Sequence, residues 1–199
     1  MPTTSPPSRA PTDILLIRHA QSAPSDDIPE ADWPLSEKGV QQALALAEAA
    51  PLQCVDHIYS SPYRRAVDTV APLAARLGLT VTTVPELRER KLTDVPRDDW
   101  EHLLRQAWAD HDFALPGAES GRVVQARMDA ALLDLAARHP GGKLAVASHG
   151  NAIALLLNRL DPDFGFEAWK AMRNPDIFSV TWCESGWRRN ALDPLQISP

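Results

Sequence analysis

Four short stretches of the chain carry reactive side chains: Arg18-His19, Ser61 with Arg64-Arg65, Arg88-Glu89, and Ser148-His149-Gly150. Together they supply two imidazoles, several guanidiniums and a carboxyl group. A neutral imidazole is a nucleophile or base near physiological pH. A guanidinium holds its charge and matches a phosphoryl group through paired N–H donors. A carboxyl group can give and take a proton. This is the composition of a phosphoryl pocket. Each piece alone has a plainer explanation. Arg64 and Arg65 fit a solvated helix face, Glu89 lies in the charge run Arg88-Glu89-Arg90-Lys91, and His149 fits a core histidine bonded to backbone. The plainer explanations leave one thing out: every stretch follows directly after an apolar, strand-like run.

Those runs are Asp13–Ile17, Val55–Tyr59, Thr80–Val84 and Lys143–Ala147, and helical patterns lie between them. Ser36–Ala50 carries Leu44 and Ala47 at helical spacing. Ser61-Pro62 reads as N-cap and first position of a helix stopping at Gly78, which sets Arg65 about one turn in. Asp98–Ala109 is helical, Ser120 caps a long helix ending near His139-Pro140, and another helix runs from Gly150 to Leu160. Ile177–Cys183 and Trp187–Ala191 read as a hairpin around Ser185-Gly186. The alternation predicts an α/β three-layer sandwich: a mostly parallel central sheet, helices on both faces and a C-terminal hairpin edge. In such sheets ligands bind beyond the carboxyl ends of the strands. The helix starts at Ser61 and Gly150 are expected to aim free N–H groups at the same place.

The remaining composition narrows the class. The chain has 199 residues and a net charge of −6, and it is 44% hydrophobic and 23% charged. That suits a single globular domain and offers no basic face for nucleic acid. No apolar run approaches bilayer length, and Met1–Thr12 has no apolar core of a secretory signal. Two cysteines, Cys54 and Cys183, build no disulfide framework, so a cytoplasmic protein without membrane partner is expected. Residues 1–12 hold four prolines and read as a disordered tail; 13–199 read as one domain with a small cap insertion at about 90–116.

The motifs resemble those of the histidine phosphatase superfamily, the phosphoglycerate-mutase-like enzymes of the branch with the smaller cap, from about Asp13 to Leu192. The opening R-H-G is present as Arg18-His19-Ala20. The L-[ST]-x-x-G-x-x-Q-A helix start is Leu35 to Ala43, with Ser36, Gly39 and Gln42 in place. The S-x-x-x-R-A-x-x-T motif is Ser61 to Thr69, which makes Arg65 the phosphate-binding arginine and leaves Arg64 variable. L-x-E is Leu87-Arg88-Glu89, G-E-S is Ala118-Glu119-Ser120, and the closing S-H-G is Ser148-His149-Gly150. The resemblance implies a phosphatase without cofactor or metal. His19 attacks phosphorus, Arg18, Arg65 and His149 spread the charge, Ser25 and Gly150 help to hold phosphate, and Glu89 is general acid and base. The partner is a small phosphorylated substrate or a phosphoprotein, and the product is inorganic phosphate.

Departures bear on the substrate. Ala20 and Gln21 replace a glycine and an acidic residue, Ser25 stands where asparagine is common, and the F-G-x-W-E-G stretch after the acid is absent. Specificity is therefore expected from 23–34 and 90–116, with Arg88, Lys91, Arg97 and Trp100 as candidates. Trp100, Leu103, Leu104 and Trp108 also fit a cap helix that merely packs. A phosphoglycerate-type mutase and an inactive phosphate-binding relative are the alternatives; Asn151 looks mutase-like, whereas only Glu89-Arg90 survives of the mutases' E-R-H-Y-G. The six histidines lack zinc-hydrolase spacing, and no histidine follows 149 to complete a serine-hydrolase order.

Overall fold

The computed structural model describes residues 10–93, 95 and 98–191. Residues 1–9 of the expected tail, Arg97 and residues 192–199 lie outside them. Thr12, assigned to the tail, is the first residue of a strand; it is buried and its hydroxyl donates to the His139 carbonyl at 2.8 Å.

Six strands form one sheet: β1 (Thr12–Arg18), β2 (His57–Ser60), β3 (Val81–Thr83), β4 (Lys143–Ser148), β5 (Asp176–Cys183) and β6 (Gly186–Asn190). Their spatial order is β3-β2-β4-β1-β5-β6. The first four are parallel, and β5 runs antiparallel to β1 and to β6, as expected for a hairpin at one edge.

Side-chain alternation along a strand makes the sheet two-sided. Ile14, Leu16, Leu144 and Val146 face α4 (Gly121–Arg138) and α5 (Gly150–Leu160), meeting Met128, Leu132 and Ile153. Leu15, Ile17, Ala145 and Ala147 face α1 (Glu37–Ala47) and α2 (Arg64–Leu77), meeting Leu46, Val70 and Leu73. The three-layer arrangement follows. A separate cluster of Leu92, Leu103, Leu104 and Ala107 packs α3 (Trp100–Ala109) beside α6 (Phe166–Ala171), a short helix that sequence reading missed.

Two helices differ from expectation. In α1 the buried stripe is Ala43, Leu46 and Ala47, while Leu44 stays 50% exposed. Helix α2 starts at Arg64, not at Pro62. The Ser61 N–H extends the sheet ladder to the Ala147 carbonyl, so Ser61 is still strand-like and cannot cap a helix. Arg65 therefore lies in the first turn.

The start of α1 locks the chain that leaves β1. Ser36 accepts the Gly39 N–H at 3.0 Å and reaches Gln21 with the same hydroxyl, while the Gln42 side-chain oxygen accepts the Gln21 N–H at 3.0 Å. Between them the Gln21 carbonyl approaches so closely that a Cβ on Gly39 would lie 2.0 Å from its oxygen. No rotamer relieves a backbone clash. Gly39→Ala is expected to cost about 2–3 kcal/mol, the upper part of the range for overpacking, despite alanine's better helix propensity. Urea unfolding checks it.

Candidate active site

The parallel ladder continues one residue past β1, β2 and β3, which holds the carboxyl ends of β1, β2 and β4 together. His19 N–H donates to Ser148 O at 3.1 Å, Ser61 N–H to Ala147 O at 2.8 Å, and Val84 N–H to Ser60 O at 2.8 Å. His19, Ser61 and His149 are thereby set side by side.

The His19 ring is buried, with Nδ1 2.7 Å from the Ala20 carbonyl oxygen. A carbonyl only accepts, so Nδ1 carries the proton and Nε2 presents its lone pair. Burial, helped by the charges of Arg65 and Arg18 and opposed by the Ala20 hydrogen bond, pushes its pKa down to about 3. The ring is a neutral base at physiological pH. Its backbone is held on both sides: Asn174 Nδ2 donates to the His19 carbonyl at 2.7 Å, and Thr69 Oγ1 accepts the Ala20 N–H at 2.9 Å. The threonine that closes the second motif thus supports the first.

His149 is fully buried, its ring centroid 5.2 Å from that of His19. Its Nε2 lies 2.8 Å from Ser61 Oγ, which also accepts the Tyr63 N–H. Burial lowers the pKa of His149 well below the usual value, and the neighbouring His19, Arg65, Arg127 and Arg18 lower it further. Ser61, expected as a helix cap, orients this imidazole instead. Arg18 donates to the Met172 carbonyl at 2.7 Å and packs against the start of α5. A Cβ on Gly150 would stand 3.2 Å from Arg18 Cζ and Nε and 3.3 Å from Trp169 Nε1, so glycine permits this approach. Three buried nitrogens at this place, Arg18 Nε, His149 Nδ1 and Trp169 Nε1, have no hydrogen-bond partner among the described residues. Such groups are costly to bury and concentrate at functional sites.

Arg65 is 3% exposed, and its Nε–H donates to His19 Nε2 at 3.2 Å. Its two terminal nitrogens reach Glu30, whose contribution sequence reading missed. Glu89 is half-buried beside the start of α5. Its carboxylate accepts the N–H groups of Arg90 (2.8 Å), Ala152 (3.0 Å) and Asn151 (3.2 Å). The helix N–H groups expected to face phosphate are therefore used by the carboxylate. Burial raises the Glu89 pKa; these three backbone donors and Arg65 oppose that without cancelling it.

Glu89 is held in turn by a pair that sequence reading only half saw. Arg127 grips Glu119 through Nε (2.9 Å) and Nη2 (3.0 Å), and donates to the carbonyls of Glu86, Arg88 and Glu89. Arg88 Nη2 pairs with Glu119 at 2.6 Å, and the Lys91 N–H donates to Glu119 as well. Arg90 is buried, donating to the carbonyls of Glu119, Ala107 and Phe113. Of the specificity candidates, Arg88 is thus engaged with Glu119. Trp100 is 45% exposed and departs from the buried stripe of Leu103, Leu104 and Trp108. Ser25 turns its hydroxyl to Asp27 within its own loop and not to the His19 cluster. Asn151 accepts from the Trp108 indole at 3.1 Å, tying the cap helix to α5. Among the described residues no group of three or more His, Cys, Asp or Glu is placed to hold a metal ion, and no helix is long and apolar enough to cross a membrane.

A model of the histidine phosphatase superfamily (branch 1) matches residues 14–195. A probable phosphoglycerate mutase of Salmonella choleraesuis (strain SC-B67) is 28% identical over 189 residues, covering 87% of this chain and 86% of the relative. A mycobacterial glucosyl-3-phosphoglycerate phosphatase, solved with inorganic phosphate, is 31% identical with a TM-score of 0.72, covering 90% of this chain and 95% of that one. A phosphoglycerate mutase from Bacillus anthracis shares the fold at 18% identity and a TM-score of 0.72, covering 93% and 94% of the two chains.

The Arg127–Glu119 pair is 10% and 12% exposed, so removing one partner strands a poorly solvated charge. Arg127→Ala is expected to cost roughly 3 kcal/mol in urea unfolding. Burial pushes the Glu119 pKa up, but the hydrogen bond and charge of Arg127 outweigh it and the net shift is downward. The pair's contribution is therefore complete above the ordinary glutamate pKa of about 4.3. It is lost as pH falls through the lowered folded value.

Proposed function

Since the chain belongs to the histidine phosphatase superfamily, we propose that it is a phosphatase acting on phosphate monoesters, small or carried by a protein, through a phosphohistidine at His19. The observation that carries the reading is a neutral, buried imidazole whose Nδ1 proton is pinned to Ala20 O while Nε2 faces the Arg65 guanidinium.

In the first half-reaction His19 Nε2 attacks phosphorus and the bond to the leaving oxygen breaks. Glu89 gives that oxygen its proton. In the second, water attacks phosphorus, the N–P bond breaks, and the Glu89 carboxylate takes the water's proton. No cofactor or metal enters this sequence; positioning and fixed charge supply the acceleration. Arg18 and Arg65 neutralise the equatorial oxygens. With Ser61 donating to His149 Nε2, the proton of His149 sits on Nδ1. That N–H and the Arg18 Nε–H are two of the three buried donors left without a partner among the described residues, and in this reading phosphoryl oxygens satisfy both. The raised pKa of Glu89 favours the protonated form that the first step needs, and the α5 N–H groups stabilise the carboxylate of the second step.

A phosphomutase is the second reading, because a relative at 28% identity bears that description. Incubating the phosphoenzyme with phosphoglycerates separates the two: transfer to the acceptor favours a mutase, release of inorganic phosphate a phosphatase.

His19→Ala is expected to abolish turnover and phosphoenzyme labelling together. Glu89→Gln should slow alkyl phosphates by about 10²–10⁴-fold and p-nitrophenyl phosphate far less, since the aryl leaving group hardly needs a proton. Equal losses for both would remove Glu89 from the acid role. For alkyl phosphates, kcat/KM should fall as pH rises through the raised Glu89 value. Protonation of His19 should contribute no loss until the pH approaches about 3.

A further inference from the structure

We propose that Glu30 is a positioning residue for the phosphoryl pocket: it grips the outer edge of the Arg65 guanidinium so that the Nε edge faces the nucleophile. The inference rests on the reading of Arg65 as a phosphoryl ligand and adds a residue that lies outside the motifs quoted above.

Glu30 belongs to a short 3-10 turn, Glu30–Asp32, in the loop between β1 and α1. The loop is closed at its base by the Ser22–Leu35 bridge and the Ala23 N–H to Pro34 O bond. From there Glu30 reaches Arg65 twice. Its backbone carbonyl accepts from Nη1 at 2.8 Å, and its carboxylate oxygen Oε1 accepts from Nη2 at 2.6 Å. The Arg65 side chain is 4% exposed and that of Glu30 51%, so a solvent-facing carboxylate holds a buried cation. The rings of Tyr63 and Trp33 lie 5.0 and 5.6 Å from the guanidinium carbon, and the Trp33 indole is fixed to Ser25 O at 2.8 Å.

A guanidinium is planar, with its donors in a rigid fork. Fixing Nη1 and Nη2 from one side sets the plane, and the Nε–H then points at His19 Nε2, 3.2 Å away. Without the carboxylate, the buried charge keeps only the Glu30 carbonyl on that edge and can rotate about its last torsions. Misplacement of about an ångström at such a group is enough to cost one to two orders of magnitude in rate. Glu30 lies in the same loop that was expected to shape specificity, and it acts on the arginine.

The test uses the full chain, p-nitrophenyl phosphate turnover, and orthovanadate binding as a probe of the five-coordinate state. Glu30→Ala is expected to lower kcat/KM roughly ten-fold and to weaken vanadate by a similar factor, with inorganic phosphate weakened less. Glu30→Gln, which keeps an acceptor for Nη2, should recover most of the loss. In an Arg65→Ala background, Glu30→Ala should add no further loss, because the group it orients is gone. Urea unfolding confirms that each variant folds. Tighter vanadate binding by Glu30→Ala would make Glu30 a competitor of phosphate and overturn the proposal. A full additional loss in the Arg65→Ala background would also overturn it, reducing Glu30 to support of its loop. If Arg65→Ala weakens vanadate but Glu30→Ala does not, only the positioning role falls. If Arg65→Ala itself has no effect, the phosphoryl reading of Arg65 falls and takes this inference with it.

Discussion

Strand β4 lies between β1 and β2, and its pairing continues one residue beyond the regular ladder on either side, from His19 to Ser148 and from Ser61 to Ala147. Everything at the site depends on this register. Parallel strands present their carboxyl ends at one edge, so a histidine after β1 and another after β4 meet although 130 residues separate them. A slip by one residue would turn Arg18 and Ser148 to opposite faces and part the two imidazoles. Alternation of Ile14 and Leu16 with Leu15 and Ile17 prevents the slip, because each pair is buried against a different helical layer.

Charge inside the molecule is handled locally. Arg65 is matched by Glu30, Arg127 by Glu119, and the Glu89 carboxylate by the N–H groups that open α5. The two histidines contribute no charge, since burial beside arginines keeps both neutral. Among the described residues, the buried polar groups without a partner, on Arg18, His149 and Trp169, gather around Gly150. The site therefore combines an uncharged imidazole with fixed cations and a carboxyl group of raised pKa. Each of these states follows from a neighbour that can be named.

Helix α3 and the segment after it are tied to the body through residues that also hold the Glu89 segment. Arg90 donates to carbonyls of α3 and of the segment after it, and Trp108 donates to Asn151 at the start of α5. Glu119 receives Arg88, Arg127 and the Lys91 backbone. Arg88 and Arg90, on either side of Glu89, thus brace the α3 segment and the Glu89 loop. This is a physical reason for the charges of Arg88 and Arg90 that requires no ligand.

The sequence by itself determined the strands, most of the helices and the identity of the clustered residues. Apolar runs with β-branched residues and capped periodic segments are local signals, and Ser36, Gly78 and Ser120 mark helix ends through their own backbone chemistry. It also determined that His19, Arg65, Glu89 and His149 share one edge, because parallel alternation admits few other arrangements. The partners those residues would take were decided only by tertiary structure. Ser61 looked like a helix cap because serine before proline is a local pattern; the ladder bond to Ala147 kept it extended and gave its hydroxyl to His149. Ser25 looked like a phosphate donor by position, but its hydroxyl turned to Asp27. Glu30, Arg127, Asn174 and Trp169 carried no signal at all. Their contacts join segments distant in the chain, and a single charged or aromatic residue gains its meaning only when packing decides which buried group stands opposite it.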